Sequence, residues 1–401
     1  MEGSRPNHLS LICTKGAILL ITFLAIRLAG AQDTVTLLFA GDAMQHQSQL
    51  DNASRNGAYD YSSYFKHIRS EISAADIAVV NLELTLGGPP FRGYPQFSAP
   101  DAFASALKEA GFNVFLNANN HILDRGNRGL IRTLDVLDSL LITHTGVFRS
   151  EDERQLLSPL MFAWNNVRFA ILNYTYGTNG IAPEQPVAVN YIDPRQIRAD
   201  VRKARSLNAD IIIANIHWGD EYSLLQNVRQ DELADFMINE GIDIIMGSHP
   251  HVVQPSRTIT DYRGDITGVV VYSLGNFVSG MTAPNTYGGQ LVRIRVEKEP
   301  FRRARISSAE YALVYVHREP AGGKVDFVLL PVSMAERSED PQAGAPAIAL
   351  GQEAYKRMMR FTDTARELFN RYNTGFAEYR PGILRRDTGS TVDFYARIFG
   401  D

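Results

Sequence analysis

The sequence predicts an α/β layered fold. Apolar runs rich in β-branched residues recur at 35–40, 76–80, 113–117, 210–216, 242–245 and 268–272, with segments of helical periodicity between most of them. Each run leads into a polar cluster: GD at 41–42, NLE at 81–83, NNH at 119–121, HWGDEY at 217–222, SHPH at 248–251 and GN at 275–276. In layered α/β proteins the carboxyl ends of strands gather along one edge, so these clusters are expected to meet there.

Taken in order, 35–40 (VTLLFA) reads as a buried first strand that delivers Asp42. A helix is expected over 61–73, and the strand at 76–80 leads into Asn81 and Glu83. The Gly- and Pro-rich stretch 88–100, with Phe91, Tyr94 and Phe97 interleaved, reads as an irregular loop that walls a cleft or covers the core. Asp101 caps a helix that Gly111 ends. The strand at 113–117 then brings Asn119, Asn120, His121 and Asp124. Two amides and an imidazole directly after an apolar strand are costly to bury without partners.

Helix 130–141 places Leu130, Ile131, Leu134, Leu137 and Leu141 on one face and belongs to the core. A strand at 167–172, a helix at 194–207 and a strand at 210–216 lead to His217 and Glu221. Helix 231–240 precedes the run at 242–245 and the turn that carries His249 and His251 around Pro250. In an extended segment those two rings point to opposite sides, serving two adjacent metals or one metal and one substrate oxygen. An HxH pair is common by itself. Its weight comes from the matching clusters at the other strand ends. The strand at 268–272 runs into Asn276. Beyond 287 the runs 290–296, 309–316 and 325–332 carry strand patterns separated by charged turns, as expected of an antiparallel second sheet. Residues 341–346 read as a linker and 352–372 as a helix of mixed polarity.

The first 31 residues differ from the rest. Arg5 and Lys15 precede an apolar stretch at 16–26, and Ala29, Gly30 and Ala31 form a small-residue end. This reads as a secretory signal peptide cleaved near Ala31, because Arg27 interrupts a run already short for a span of about 30 Å. Cleavage removes three basic residues and one acidic one, which moves the formal charge from -4 to -6. Cys13 is the only cysteine, so the mature chain has neither disulfides nor thiolate ligands. A mildly acidic chain without a basic stripe argues against nucleic-acid binding. The full chain, 45% hydrophobic and 21% charged, has ordinary globular composition. Metal ligation falls to Asp42, Glu83, Asn120, His217, His249 and His251, a thiolate-free set suited to one or two Mn, Fe, Zn or Mg ions.

GDAM at 41–44, NLE at 81–83, ANNHILDRG at 118–126, HWGDEY at 217–222, GSHPH at 247–251 and SLGNF at 273–277 together resemble the CapA-like proteins of poly-γ-glutamate capsule biosynthesis. These are similar in turn to calcineurin-like metallophosphoesterases. The resemblance covers about 35–280 and implies a four-layer αββα sandwich of the metallo-dependent phosphatase type, as a domain over 32–340 followed by a linker and helical extension over 341–401. It further implies that Asp42 and His251 hold one metal, that Asn120, His217 and His249 hold the other, and that Glu83 bridges them. His121 becomes the acid that protonates a leaving group, oriented by Asp124. Asn81, Asn119, Glu221 and Asn276 are candidates for substrate contact. The sequence departs from the phosphoesterase pattern at Met44, where a histidine is usual.

The expected function is a secreted, metal-dependent hydrolase or transferase of the bacterial envelope. A metal-bound hydroxide would attack a phosphoester or amide in the assembly of poly-γ-glutamate or a related anionic exopolymer. The alternative is a non-catalytic module that binds polymer or metal within the capsule assembly machinery. Expected partners are an anionic polymer or small substrate and other capsule-synthesis proteins of the envelope, with membrane contact only through the signal peptide. No HExxH or GxSxG motif supports a classical peptidase.

Overall fold

The first strand already shows how the layers form. In β1 (Asp33–Ala43), Val35, Leu37 and Phe39 join one apolar cluster while Leu38 and Ala40 join another. A strand whose successive residues are buried on opposite sides needs a layer on each face. The structure, a computed structural model, describes residues 33–321, 324–336 and 348–381. The expected signal peptide and the linker at 341–346 lie outside the described residues.

Strands of three residues or more are numbered in chain order. β1 pairs in parallel with β2 (Ile77–Leu82), β2 with β3 (Val114–Leu116), and β3 with β4 (Thr143–Thr145). The chain then builds a second half. β5 (Leu160–Trp164) forms an antiparallel pair with β6 (Val167–Thr175), which is followed in parallel by β7 (Ile211–His217), β8 (Ile244–Ser248) and, after β9 (Ser256–Thr260), β10 (Ile266–Val271). β11 (Asn276–Val278) runs parallel to the end of β1. Finally β12 (Gly288–Lys298), β13 (Arg305–Ala321) and β14 (Lys324–Pro331) return as antiparallel neighbours of the first half. The two halves are joined at the register pair Ile266↔Ile306.

Side chains of both halves fill a common interior, with Leu37, Phe39 and Val79 from one side and Ile213, Ile244 and Val269 from the other. Helices Asp101–Ala110 and Gly126–Ser139 cover the outer face of the first half through Phe103, Leu107 and Leu137. Helices Pro194–Ser206 and Val228–Glu240 cover the second through Ile197, Val201, Ala234 and Met237. The order is helix, sheet, sheet, helix: a mixed α/β fold with a large central sheet bent into a four-layer sandwich.

Several features differ from the sequence reading; Leu141, expected on the buried face of helix 130–141, lies past the end of the helix Gly126–Ser139 and is exposed. The late antiparallel strands form no sheet of their own, because β12 hydrogen-bonds directly to β1 along Asp33–Phe39. The helix expected over 61–73 is a regular helix only at Arg69–Ser73. Tyr61, Tyr64, Phe65, Ile68 and Ile72 are buried at helical spacing, yet the earlier turns close through three-residue bonds such as Tyr64 N–H to Tyr61 O, 3.1 Å. Asp101 is the first residue of its helix rather than the cap, and its carboxylate pairs with Arg132 at 2.7 and 2.9 Å. The helix Gln352–Tyr372 buries Met358, Phe361, Ala365, Leu368 and Phe369 in the interior shared by the sheet halves.

A candidate metal centre at the strand ends

Close backbone approach shapes the site. A Cβ on Gly41 would lie 1.9 Å from the Gly275 carbonyl oxygen, and one on Gly247 would lie 1.9 Å from that of Tyr272. Glycine at both positions lets β1 and β8 press against the segment 272–276. The strand ends of both halves thereby converge. Asp42 comes from β1, Glu83 from just after β2, Asn119 to His121 from beyond β3, His217 from β7 and the histidine pair from beyond β8.

Asp42 is fully buried, with Oδ1 accepting from Asn81 Nδ2 at 2.7 Å and Oδ2 accepting from the His249 backbone N–H at 3.2 Å. The same Oδ2 is 3.2 Å from His251 Nδ1. Glu83 is also fully buried, yet neither carboxylate oxygen has a hydrogen-bond donor among the described residues. Its Oε1 lies 3.5 Å from His217 Nε2 and 3.8 Å from His251 Nε2. Burial first, and the Asp42 charge second, push the Glu83 carboxyl well above the usual range.

The backbone overturns one expectation. His249 and His251 have φ of +99° and +59°, so the segment is left-handed rather than extended and both rings turn into the site, with centroids 5.9 Å apart. For non-glycine residues that conformation is strained and persists only where the surroundings enforce it. His217 lies 4.8 Å from His249, ring to ring; its Nε2 is 2.9 Å from Asn120 Oδ1 and its Nδ1 3.1 Å from Ser248 Oγ. Burial and the neighbouring imidazoles hold His217 well below the usual histidine range and His249 at about 3. Both rings are therefore neutral at physiological pH, the state in which imidazole ligates a cation.

Ligand atoms of Asp42, Glu83 and His217 lie within 4.8 Å of one another, as do those of Glu83, His249 and His251. Glu83 is common to both triads. They cut across the division of ligands that the resemblance implies, because the three rings and two carboxylates form one contiguous cluster. The residues fit a divalent cation: a buried carboxylate without a donor and a His249 Nδ1 without a partner are costly alone and are the groups a cation satisfies.

The remaining candidates surround this cluster. His121 Nδ1 is 2.8 Å from Asp124 Oδ2, which also accepts the Phe97 N–H at 2.7 Å. Burial raises the Asp124 carboxyl, and the His121 contact opposes that shift. The amides of Asn81, Asn119 and Asn276 are spent on the site itself. Asn81 serves Asp42 and His217, Asn119 donates to Leu82 O at 2.8 Å, and Asn276 Oδ1 meets His251 Nδ1 at 3.1 Å. These bonds tie the three amides to the candidate ligands and to the backbone beside them. Glu221 is exposed, and its charge reaches Glu83 and Tyr176.

Met44 is buried in the outer-face core with Tyr61 and Phe65, so a histidine introduced there would enter an apolar layer instead of completing the ligand set. The sequence reading missed Tyr176, Asn179, Ser248 and His46. The Tyr176 ring lies 4.6 Å from His249, and Asn179 reaches both Asn120, at 3.3 Å, and His121, at 3.4 Å. Tyr176 directly follows β6, so the strand-end rule that found His217 could have found it.

Comparison with known proteins places this geometry in a family. A family model described as "Bacterial capsule synthesis protein PGA_cap" matches residues 36–281. The chain is 29% identical over 312 residues to "Capsule biosynthesis protein CapA" of Bacillus anthracis, covering 73% of each chain. It is also 29% identical over 321 residues to "PGA biosynthesis protein CapA" of Bacillus subtilis (strain 168), covering 77% of this chain and 79% of the relative. Among solved structures it is similar to the NAD nucleotidase NadN of Haemophilus influenzae, with a TM-score of 0.46 and 13% identity over 88% of this chain and 65% of that one. The match over more than half of its length makes this chain a member of the bacterial capsule synthesis family PGA_cap.

Proposed function

We propose that this chain is a metal-dependent hydrolase or transferase that acts on a phosphoester or amide during assembly of poly-γ-glutamate or a related anionic capsule polymer. The observation that carries this reading is Glu83, a fully buried carboxylate without a hydrogen-bond donor, shared by two triads of ligand atoms. Asp42, Glu83, His217, His249 and His251 would hold the cation, with Asn120 beside His217. When bound, a divalent cation supplies Lewis acidity toward a phosphoryl or acyl oxygen and makes water a competent nucleophile near neutral pH. His121 delivers a proton to the leaving group, and Asp124 fixes its ring by holding Nδ1. Relatives named for capsule, PGA and polyglutamine synthesis support the polymer class.

Elemental analysis and turnover test the reading together. Purified full chain is expected to retain one or two divalent cations after desalting and to hydrolyse p-nitrophenyl phosphate or a γ-glutamyl amide faster than the chelated protein. The second reading, a binding module without turnover, draws support from Met44, which occupies the core where phosphoesterases have a histidine. Folded protein that retains no cation and turns over neither substrate would favour it over the hydrolase reading.

The reading includes export to the periplasm or cell surface, motivated by the basic start, apolar stretch and small-residue end of residues 1–31. Envelope-localised protein is expected to begin near Gln32. N-terminal sequencing that still finds Met1 in that fraction would show that no cleavage occurs.

A further inference from the structure

His46 lies four residues beyond Asp42, is half-buried, and belongs to neither ligand triad. Its Nδ1 accepts a hydrogen bond from the Gly280 N–H at 3.1 Å. A neutral imidazole carries one N–H, so occupation of Nδ1 as an acceptor places the proton on Nε2. Burial, and then the proximity of His251, Arg318 and His121, hold the ring at about 4 against an opposing side-chain hydrogen bond with Gln49, so it stays neutral at physiological pH.

Several contacts fix where the ring stands. His46 packs edge-to-face on Phe97 at 5.2 Å, and Phe97 packs edge-to-face on His121 at 4.7 Å. The two histidines therefore share one aromatic support. On the other side, Arg318 donates to the carbonyl oxygens of Ser279 and Met281, which bracket Gly280 and aim its N–H at His46. Gly280 admits no larger residue without moving the ring, since its Cβ would lie 2.5 Å from that of His46. The same loop begins with Asn276, which holds His251. One segment, 276–281, thus sets both His251 and His46.

We propose that His46 is a substrate-binding residue, a fixed Nε2–H donor to an anionic oxygen of the group bound at the adjacent centre. The proposal rests on the hydrolase or transferase reading above. A protonated Nε2 cannot ligate a cation, so His46 is complementary to the ligand histidines. A donor whose tautomer and ring angle are already set requires no reorganisation when the oxygen arrives. Phosphoryl and carboxylate oxygens both fit such a donor, and phosphate is the simplest probe.

The test is titration of the full chain with inorganic phosphate, once with Mg²⁺ and once in EDTA, with cation content measured in parallel. His46→Phe keeps the aromatic packing and removes the donor; it is expected to weaken phosphate binding by about 10- to 100-fold, the range for a hydrogen bond to a charged acceptor. His46→Gln should recover part of the loss, and Gly280→Ala, which displaces an intact His46, should reproduce part of it. Thermal unfolding of each variant separates these effects from loss of fold. Phosphate binding in His46→Phe equal to that of the natural chain, or a natural chain that binds no phosphate in either condition, would overturn the proposal. Absence of retained cation in the natural chain fails the metal reading instead, and the EDTA titrations still decide the role of His46.

Discussion

His121→Ala is expected to lower turnover by about 100- to 10,000-fold, the usual contribution of a positioned general acid, while cation content stays unchanged. The split follows from geometry. His121 belongs to neither triad of ligand atoms, and its Nδ1 is spent on Asp124 at 2.8 Å. That bond leaves Nε2 as the nitrogen that exchanges a proton with substrate. Asp124→Asn should give a smaller loss and a shifted pH profile, because the amide holds the ring without the carboxylate charge. Thermal unfolding must accompany the kinetics, since His121 also packs on Phe97. Unchanged turnover in folded His121→Ala would remove His121 from the mechanism.

Glu83→Gln is expected to raise the stability of the metal-free protein and to weaken cation binding by more than about 100-fold, because even changes beyond the ligands typically cost about 10- to 100-fold. The stability gain has a defined pH dependence. Burial raises the Glu83 carboxyl above its ordinary 4.5, so the folded state holds a proton that the unfolded state has released. Stability contributed by that proton is present below about pH 4.5 and is lost as pH rises toward the folded value. The glutamine variant should therefore match the natural chain near pH 4 and exceed it near pH 8, both measured in EDTA. Lower stability at both pH values, with cation content unchanged, would make Glu83 a structural residue. A buried charge that costs stability when unpaired and secures a ligand when paired is the expected compromise at a functional site.

Much of the centre was legible in the sequence because the signal is local. An apolar run that stops at a polar cluster reports a buried strand and its end, and strand ends of a layered α/β fold share an edge. On that basis Asp42, Glu83, Asn120, His217, His249 and His251 were expected in one place, and the structure gathers them there. The bounds of the helix Gln352–Tyr372 were legible for the same reason, since periodicity is a property of neighbours in sequence.

Features that depend on distant partners were not legible. The left-handed backbone at His249 and His251 is enforced by what surrounds it, including the Asp42 carboxylate that accepts the His249 N–H, and no side-chain preference in GSHPH announces it. Periodicity marks 290–296 as a strand but carries no information about its hydrogen-bonding neighbour, which proved to be β1. Nor could spacing distinguish an asparagine that meets substrate from one that holds Asp42. His46 became visible only when a loop more than two hundred residues away supplied the N–H that sets its tautomer. The sequence by itself determined which segments are buried and which side chains wait at their ends. Tertiary structure alone decided how those side chains face one another, because orientation follows from long-range contacts that no local pattern encodes.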